Sequence, residues 1–102
     1  MPERTKLLAV AELPSGSNRC LATPAGDIAL FHTEDGFFAL DNRCPHRGGP
    51  LSEGPVKDGH VACPWHQWLF NLKSGVCSNI PGPKVKSHPV EIIDGDVWLT
   101  LP

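Results

Sequence analysis

The chain has no tyrosine, one methionine and no excess of basic residues. No phenolic hydroxyl is therefore available anywhere as a proton donor or hydrogen-bond partner. Nine Lys and Arg against eleven Asp and Glu give a net charge of −2. That balance argues against nucleic acid or an anionic membrane as partner, because both attract basic patches. No apolar run approaches the roughly 18 residues that a membrane-crossing helix requires. The opening stretch, Met1-Pro-Glu-Arg-Thr-Lys6, lacks the apolar centre of an export signal, so the expected location is the cytoplasm. Repeats, linkers and low-complexity segments are missing too. Nor does any window carry a stripe of apolar residues at helical spacing.

Proline and glycine, by contrast, are abundant: eleven and ten in 102 residues. They punctuate the chain at the interval of short strands. Turn signals fall at Pro14-Ser-Gly16, Pro24-Ala-Gly26-Asp27, Glu34-Asp-Gly36, Lys57-Asp-Gly59, Lys73-Ser-Gly75 and Asp94-Gly95. Between them lie apolar or alternating runs at 6–10, 19–22, 28–33, 37–40, 60–63, 69–72, 85–93 and 97–101. In the last, Val97, Leu99 and Leu101 share one face while Trp98 and Thr100 share the other. Pro89 interrupts the long run, which marks an edge or a bulge. The expected fold is all-β and antiparallel, a sandwich or barrel, in one domain spanning residues 1–102. A chain of this length buries a modest core, so a group that ties its loops together would matter.

The chemistry lies in Cys44-Pro45-His46 and Cys63-Pro64-Trp65-His66, separated by the sixteen residues Arg47 to Ala62. Each clamp offers one thiolate and one imidazole, in the order Cys, His, Cys, His. Zinc fingers run Cys, Cys, His, His with different spacings. The order does suit a two-iron cluster in which two histidines replace two cysteines on one iron. A tetrahedral zinc site from the same four side chains, and two buried thiols beside unrelated histidines, are the competing readings. Cys20 and Cys77 are expected as reduced, packed residues rather than a disulfide, given the absence of an export signal. His32, His60 and His88 lack ligand spacing and are expected on solvated strand surfaces.

Around the clamps the sequence reads Cys44-Pro-His-Arg-Gly-Gly-Pro-Leu-Ser-Glu-Gly54 and Cys63-Pro-Trp-His-Gln-Trp-Leu-Phe-Asn-Leu-Lys-Ser-Gly75. From end to end the chain resembles the Rieske [2Fe–2S] family. The resemblance implies one [2Fe–2S] cluster per chain, with Cys44 and Cys63 on the inner iron and His46 and His66 on the outer one. It implies an antiparallel sandwich whose segment of about residues 41–79 forms a cluster-binding insertion. Pro81-Gly82-Pro83 resembles the family's third, shielding loop. Gly48, Gly49 and Gly54 would allow turns and close approach of amides to sulfide. The extra cysteine pair of respiratory-membrane relatives is missing, since Arg47-Gly48-Gly49 and Gln67-Trp68 occupy those neighbourhoods.

Within the family, the loops are most similar to the small subunit of NAD(P)H-dependent nitrite reductase. Ferredoxins of aromatic ring-hydroxylating dioxygenases come next; glycine usually follows their second histidine, where Gln67 and Trp68 stand here. Either likeness implies an electron carrier with no catalytic site of its own. Its partner would be a large flavin and sirohaem nitrite reductase subunit, or an oxygenase with its reductase. A zinc-stabilised binding module is a third, remoter reading. A complete oxygenase needs a second iron site, for which 102 residues leave no room. Replacing two thiolates by neutral imidazoles takes the oxidised cluster from a dianion to neutrality, which raises its potential. Such centres span about −150 to +300 mV, against about −400 mV for all-cysteine plant-type clusters. High-potential relatives add a serine hydroxyl two residues past the second histidine and a tyrosine near a ligand sulfur. Trp68 and the lack of tyrosine therefore imply the low end. His46 and His66 are expected to face a partner, Trp65 and Trp68 to pack beneath the cluster, and Glu53 and Asp58 to be solvated or to aid docking.

Overall fold

The computed structural model describes residues 4–24, 26–43, 50–64, 68–79 and 82–100. Ten strands run in the order β1 (Arg4–Ala9), β2 (Asn18–Thr23), β3 (Gly26–Thr33), β4 (Gly36–Asp41), β5 (Val56–Lys57), β6 (His60–Ala62), β7 (Leu69–Asn71), β8 (Ser87–His88), β9 (Val90–Ile93) and β10 (Asp96–Thr100). They form three antiparallel sheets, β1-β10-β9, β2-β3-β4-β8 and β5-β6-β7. Among the described residues the only helical turns are the short 3-10 segments Val10–Glu12 and Leu51–Glu53.

The turns follow from their residues. Asp58-Gly59 and Asp94-Gly95 are two-residue hairpin loops in which both residues take positive φ, 52° and 76° in the first, 50° and 81° in the second. That is the turn whose twist matches the flanking strands, and Asp-Gly tolerates it best. Pro89 separates β8 from β9, and the chain changes sheets at that point. The run expected at 85–93 is accordingly two strands, since proline cannot supply the donor that an unbroken strand needs. The two-residue strand β5 was not foreseeable, because its sequence shows only the turn that follows it.

The β2-β3-β4-β8 sheet is the middle layer. Ile28, Leu30 and Ala39 pack on one face with Leu8, Leu13, Val97 and Leu99. Ala29, Phe31 and Leu40 pack on the other with Leu51, Val61, Cys63, Phe70, Leu72, Cys77 and Val85. This explains the unbroken apolar run Ile28-Ala-Leu-Phe31: a strand covered on both faces has no reason to alternate. β10 has the alternating pattern instead, with Val97 and Leu99 buried and Trp98 and Thr100 half-exposed.

Gly75 is demanding on two counts. Its φ is +76°, and an added Cβ would collide with the carbonyl oxygen of Val85. Gly95 also has positive φ, at +81°, but open space around it. Gly95→Ala should therefore cost about 1–2 kcal/mol, the left-handed penalty alone, and Gly75→Ala clearly more. Denaturant unfolding of both variants checks this, and equal losses would contradict the contact.

Candidate metal centre

Both ligand loops are pinched at the base by backbone pairing. The first leaves β4, and Arg43 bridges Pro50 across it. Just outside that bridge, Leu51 N–H donates to the Asn42 carbonyl at 2.7 Å and Ser52 N–H to Asn42 Oδ1 at 2.8 Å. Leu51 is fully buried and anchors the exit of the loop in the core. The second loop joins β6 to β7: Ala62 pairs with Leu69, and Cys63 N–H donates to the Trp68 carbonyl at 2.9 Å.

The bases are also joined to each other. Ala62 N–H donates to the Pro55 carbonyl at 3.0 Å, so the segment leaving the first loop pairs with the strand entering the second. Gly54 lies flat against that strand; a Cβ there would collide with the Ala62 carbonyl oxygen. Its φ of −81° is ordinary, so Gly54 serves close approach rather than a turn. Asn18 Nδ2 donates to its carbonyl at 2.9 Å and fixes it to β2.

A third segment closes the far side. Phe70 bridges Cys77, and Val76 bridges Lys84. Cys77 N–H donates to the Pro83 carbonyl at 3.0 Å. Asn79 Oδ1 accepts from Leu69 N–H at 3.0 Å and from the Cys77 thiol at 3.2 Å. Gly82 and Pro83 thus stand beside the extension of β7; Pro81 lies outside the described residues.

Of the four ligands read from the sequence, Cys63 is described and is fully buried. Cys44, His46 and His66 lie outside the described residues, as do Gly48, Gly49 and Trp65. Cys63 ends β6 beside a groove of about 680 Å³ lined by Pro55, Ala62, Pro64, Leu69 and Asn79 with Lys57 and His60. Trp68 packs half-buried against the core that contains Cys63. Glu53 and Asp58 are exposed.

Two expectations need correction. Cys77 is packed, at 5% exposure, but Cys20 is an exposed free thiol on β2, the edge strand of its sheet. His88 is not on a solvated surface. It is 5% exposed, and its Nε2 lies 2.7 Å from Asp41 Oδ1. The pairing of β8 with β4 sets His88 opposite Ala39 and brings it against Asp41, a tertiary effect that Ser87-His88 does not announce. His32 stacks on Phe37 at 3.9 Å with Nδ1 donating to the Leu13 carbonyl, and His60 Nδ1 bonds the Asp58 carbonyl at 2.9 Å.

The donor chemistry fits an iron–sulfur group. A soft sulfur donor shielded from water, opening on a groove without a carboxylate, suits iron and sulfide better than a hard cation. Cys77, the other buried thiol, donates to Asn79 Oδ1 in the core, whereas Cys63 lines the groove.

Comparison with known proteins places this geometry. Residues 3–89 match the Rieske [2Fe-2S] domain model. The 3-phenylpropionate/cinnamic acid dioxygenase ferredoxin subunit of Photorhabdus laumondii is 41% identical over 95 residues, covering 90% of this chain and 89% of that protein. A structure named as an NADH-dependent nitrite reductase small subunit, from Mycobacterium tuberculosis, superposes with a TM-score of 0.93 and 25% identity over 100% of this chain and 97% of its own. The ferredoxin in a complex with the oxygenase of carbazole 1,9a-dioxygenase gives 0.87 and 26%, over 95% and 92% of the two chains. The chain belongs to the Rieske [2Fe–2S] family. It is an electron-transfer protein that carries a Rieske-type [2Fe–2S] cluster.

Cys77→Ser should keep the visible absorbance of the holoprotein, because a hydroxyl can still donate to Asn79, and Cys20→Ser should keep it as well. Cys63→Ser should lose most of it, with a lower melting temperature, since metal binding and folding are coupled. Bleaching in Cys77→Ser with colour retained in Cys63→Ser would contradict the assignment.

Proposed function

We propose that the chain is a carrier domain whose cluster is held by Cys44 and Cys63 on the inner iron and by His46 and His66 on the outer one. The chain works as one domain, with residues 41–79 as the cluster-bearing insertion. The observation that carries this reading is the buried Cys63 thiol at the base of the second loop, whose foot is joined to that of the first through Gly54, Pro55 and Ala62. When bound, the cluster would supply reversible one-electron chemistry. The protein's own groups do the rest. Leu51, Val61 and Phe70 hold the loops on a fixed floor; Pro45 and Pro64 stiffen them. The free ring nitrogens of the two histidines would face the partner and couple reduction to proton uptake at high pH.

In the first reading the carrier is the small subunit of an NAD(P)H-dependent nitrite reductase in the cytoplasm, serving a large flavin and sirohaem subunit that reduces nitrite to ammonium. Gln67 and Trp68 after the second histidine support it, as does the full-length superposition on a nitrite reductase small subunit. The second reading, a ferredoxin feeding a ring-hydroxylating oxygenase, is favoured by a different observation, the 41% identity to a dioxygenase ferredoxin subunit across nearly the whole chain. Reconstitution separates them. Electron delivery to a sirohaem nitrite reductase, and none to an oxygenase, supports the first; the converse establishes the second. One zinc and no acid-labile sulfide in the purified protein would end both.

With Trp68 in place of a serine donor and no tyrosine, the midpoint potential should lie near about −150 mV. Redox titration giving a clearly positive value would contradict this.

A further inference from the structure

The feet of the two ligand loops are built differently. The second loop closes on paired strands: Ala62 faces Leu69, and Cys63 N–H donates to the Trp68 carbonyl. The first runs from β4 to the 3-10 turn Leu51–Glu53, so no strand ladder leads up to its base. Pro50, at the N-cap of that turn, makes no side-chain cap and has no N–H to offer a partner.

A 3-10 turn leaves its first N–H groups without an acceptor inside the turn. Here the first internal bond runs from Glu53 N–H to the Pro50 carbonyl at 3.1 Å. The N–H groups of Leu51 and Ser52 therefore need acceptors from elsewhere, and one residue supplies both. Asn42 accepts from Leu51 N–H at its carbonyl and from Ser52 N–H at Oδ1, at 2.7 Å and 2.8 Å. Its own N–H donates to the Asp27 carbonyl at 3.0 Å, which ties it to β3. A helical turn is usually capped by the residue just before it. This one is capped by a side chain ten positions upstream of Ser52, across the whole ligand loop.

The two ties do different things. Leu51 is fully buried and holds the turn on the floor of the site, so its backbone bond to Asn42 sets the distance between entry and exit. The amide adds a tie one residue further along, and bonds at successive residues fix direction as well as distance. Between them lie Cys44, two residues after Asn42, and His46, six before Ser52.

We propose that Asn42 is a positioning residue for the cluster: by capping the Leu51–Glu53 turn across the loop, its side-chain amide sets how that loop presents Cys44 and His46. This rests on the reading of Cys44 and His46 as ligands and adds to it a residue that is not itself a donor. The backbone bond to Leu51 survives any side-chain substitution, so variants at position 42 isolate the amide.

Iron release from the holoprotein to EDTA, followed as loss of visible absorbance, tests it together with electron paramagnetic resonance of the reduced protein. Asn42→Leu is similar in size but gives Ser52 N–H no acceptor. Release should quicken on the order of tenfold, and the reduced signal should broaden as the loop takes a range of geometries. Asn42→Asp keeps an acceptor oxygen and should restore both. Thr33→Val controls for stability alone. Thr33 Oγ1 accepts from Asp35 N–H at 3.1 Å in the β3-β4 turn, and its loss should lower the melting temperature without changing release or line shape. Wild-type release and line shape in Asn42→Leu would overturn the proposal, as would equal acceleration in Thr33→Val. Should Asn42→Leu purify without colour, Asn42→Asp decides: a retained cluster supports the amide's role, and a colourless protein overturns it. Full absorbance in Cys44→Ser would instead overturn the ligand reading, and this proposal with it.

Discussion

The centre depends on backbone hydrogen bonding at the feet of two loops. Cys63 N–H to the Trp68 carbonyl closes one, and the Arg43–Pro50 bridge with Leu51 N–H to Asn42 closes the other. The Pro55–Ala62 hydrogen bond and the flat Gly54 contact join them. None of these interactions uses a ligand side chain. The scaffold therefore fixes where the loops begin and end independently of the metal, which is the condition for a preorganised site. In the proposed assignment each loop has only to bring one sulfur and one nitrogen into place.

The layered sheets make this possible in a chain of 102 residues. The middle sheet is covered on one side by β1-β10-β9 and on the other by the β5-β6-β7 unit that carries the site. Phe31 and Leu40 come up from β3 and β4 to meet Leu51, Val61 and Phe70 from the loop-bearing segment. The floor of the site and one of the domain's two core clusters are thus the same set of side chains. Cluster loading and global stability should be coupled in consequence, more strongly than in a domain with a separate core.

Much of this was legible in the residues. Asp-Gly pairs at 58–59 and 94–95 give hairpins because their left-handed conformation is cheap for that dipeptide. The Cys-x-His and Cys-x-x-His clamps pointed to the Rieske family, which the match over residues 3–89 bears out. Pro89 announced a break, and the break is a change of sheet. What stayed hidden depends on contacts between distant segments. Gly54 was read as allowing a turn and close approach to sulfide, but the neighbour that excludes a side chain there is the Ala62 carbonyl opposite it. His88 looked like an ordinary strand histidine, and only the folded sheet puts Asp41 against it. Cys20 and Cys77 were equivalent on paper; one stands exposed on the edge strand β2 while the Asn79 amide and the core take up the other.

The central claim is mixed ligation: sulfur on one iron, imidazole on the other. Electron paramagnetic resonance of the dithionite-reduced, anaerobically purified protein addresses it directly. The account predicts the low average g value of a mixed nitrogen and sulfur centre, with hyperfine coupling to two imidazole nitrogens. A signal from iron- and sulfide-replete protein with the higher average of four-thiolate ligation, and no nitrogen coupling, would contradict it.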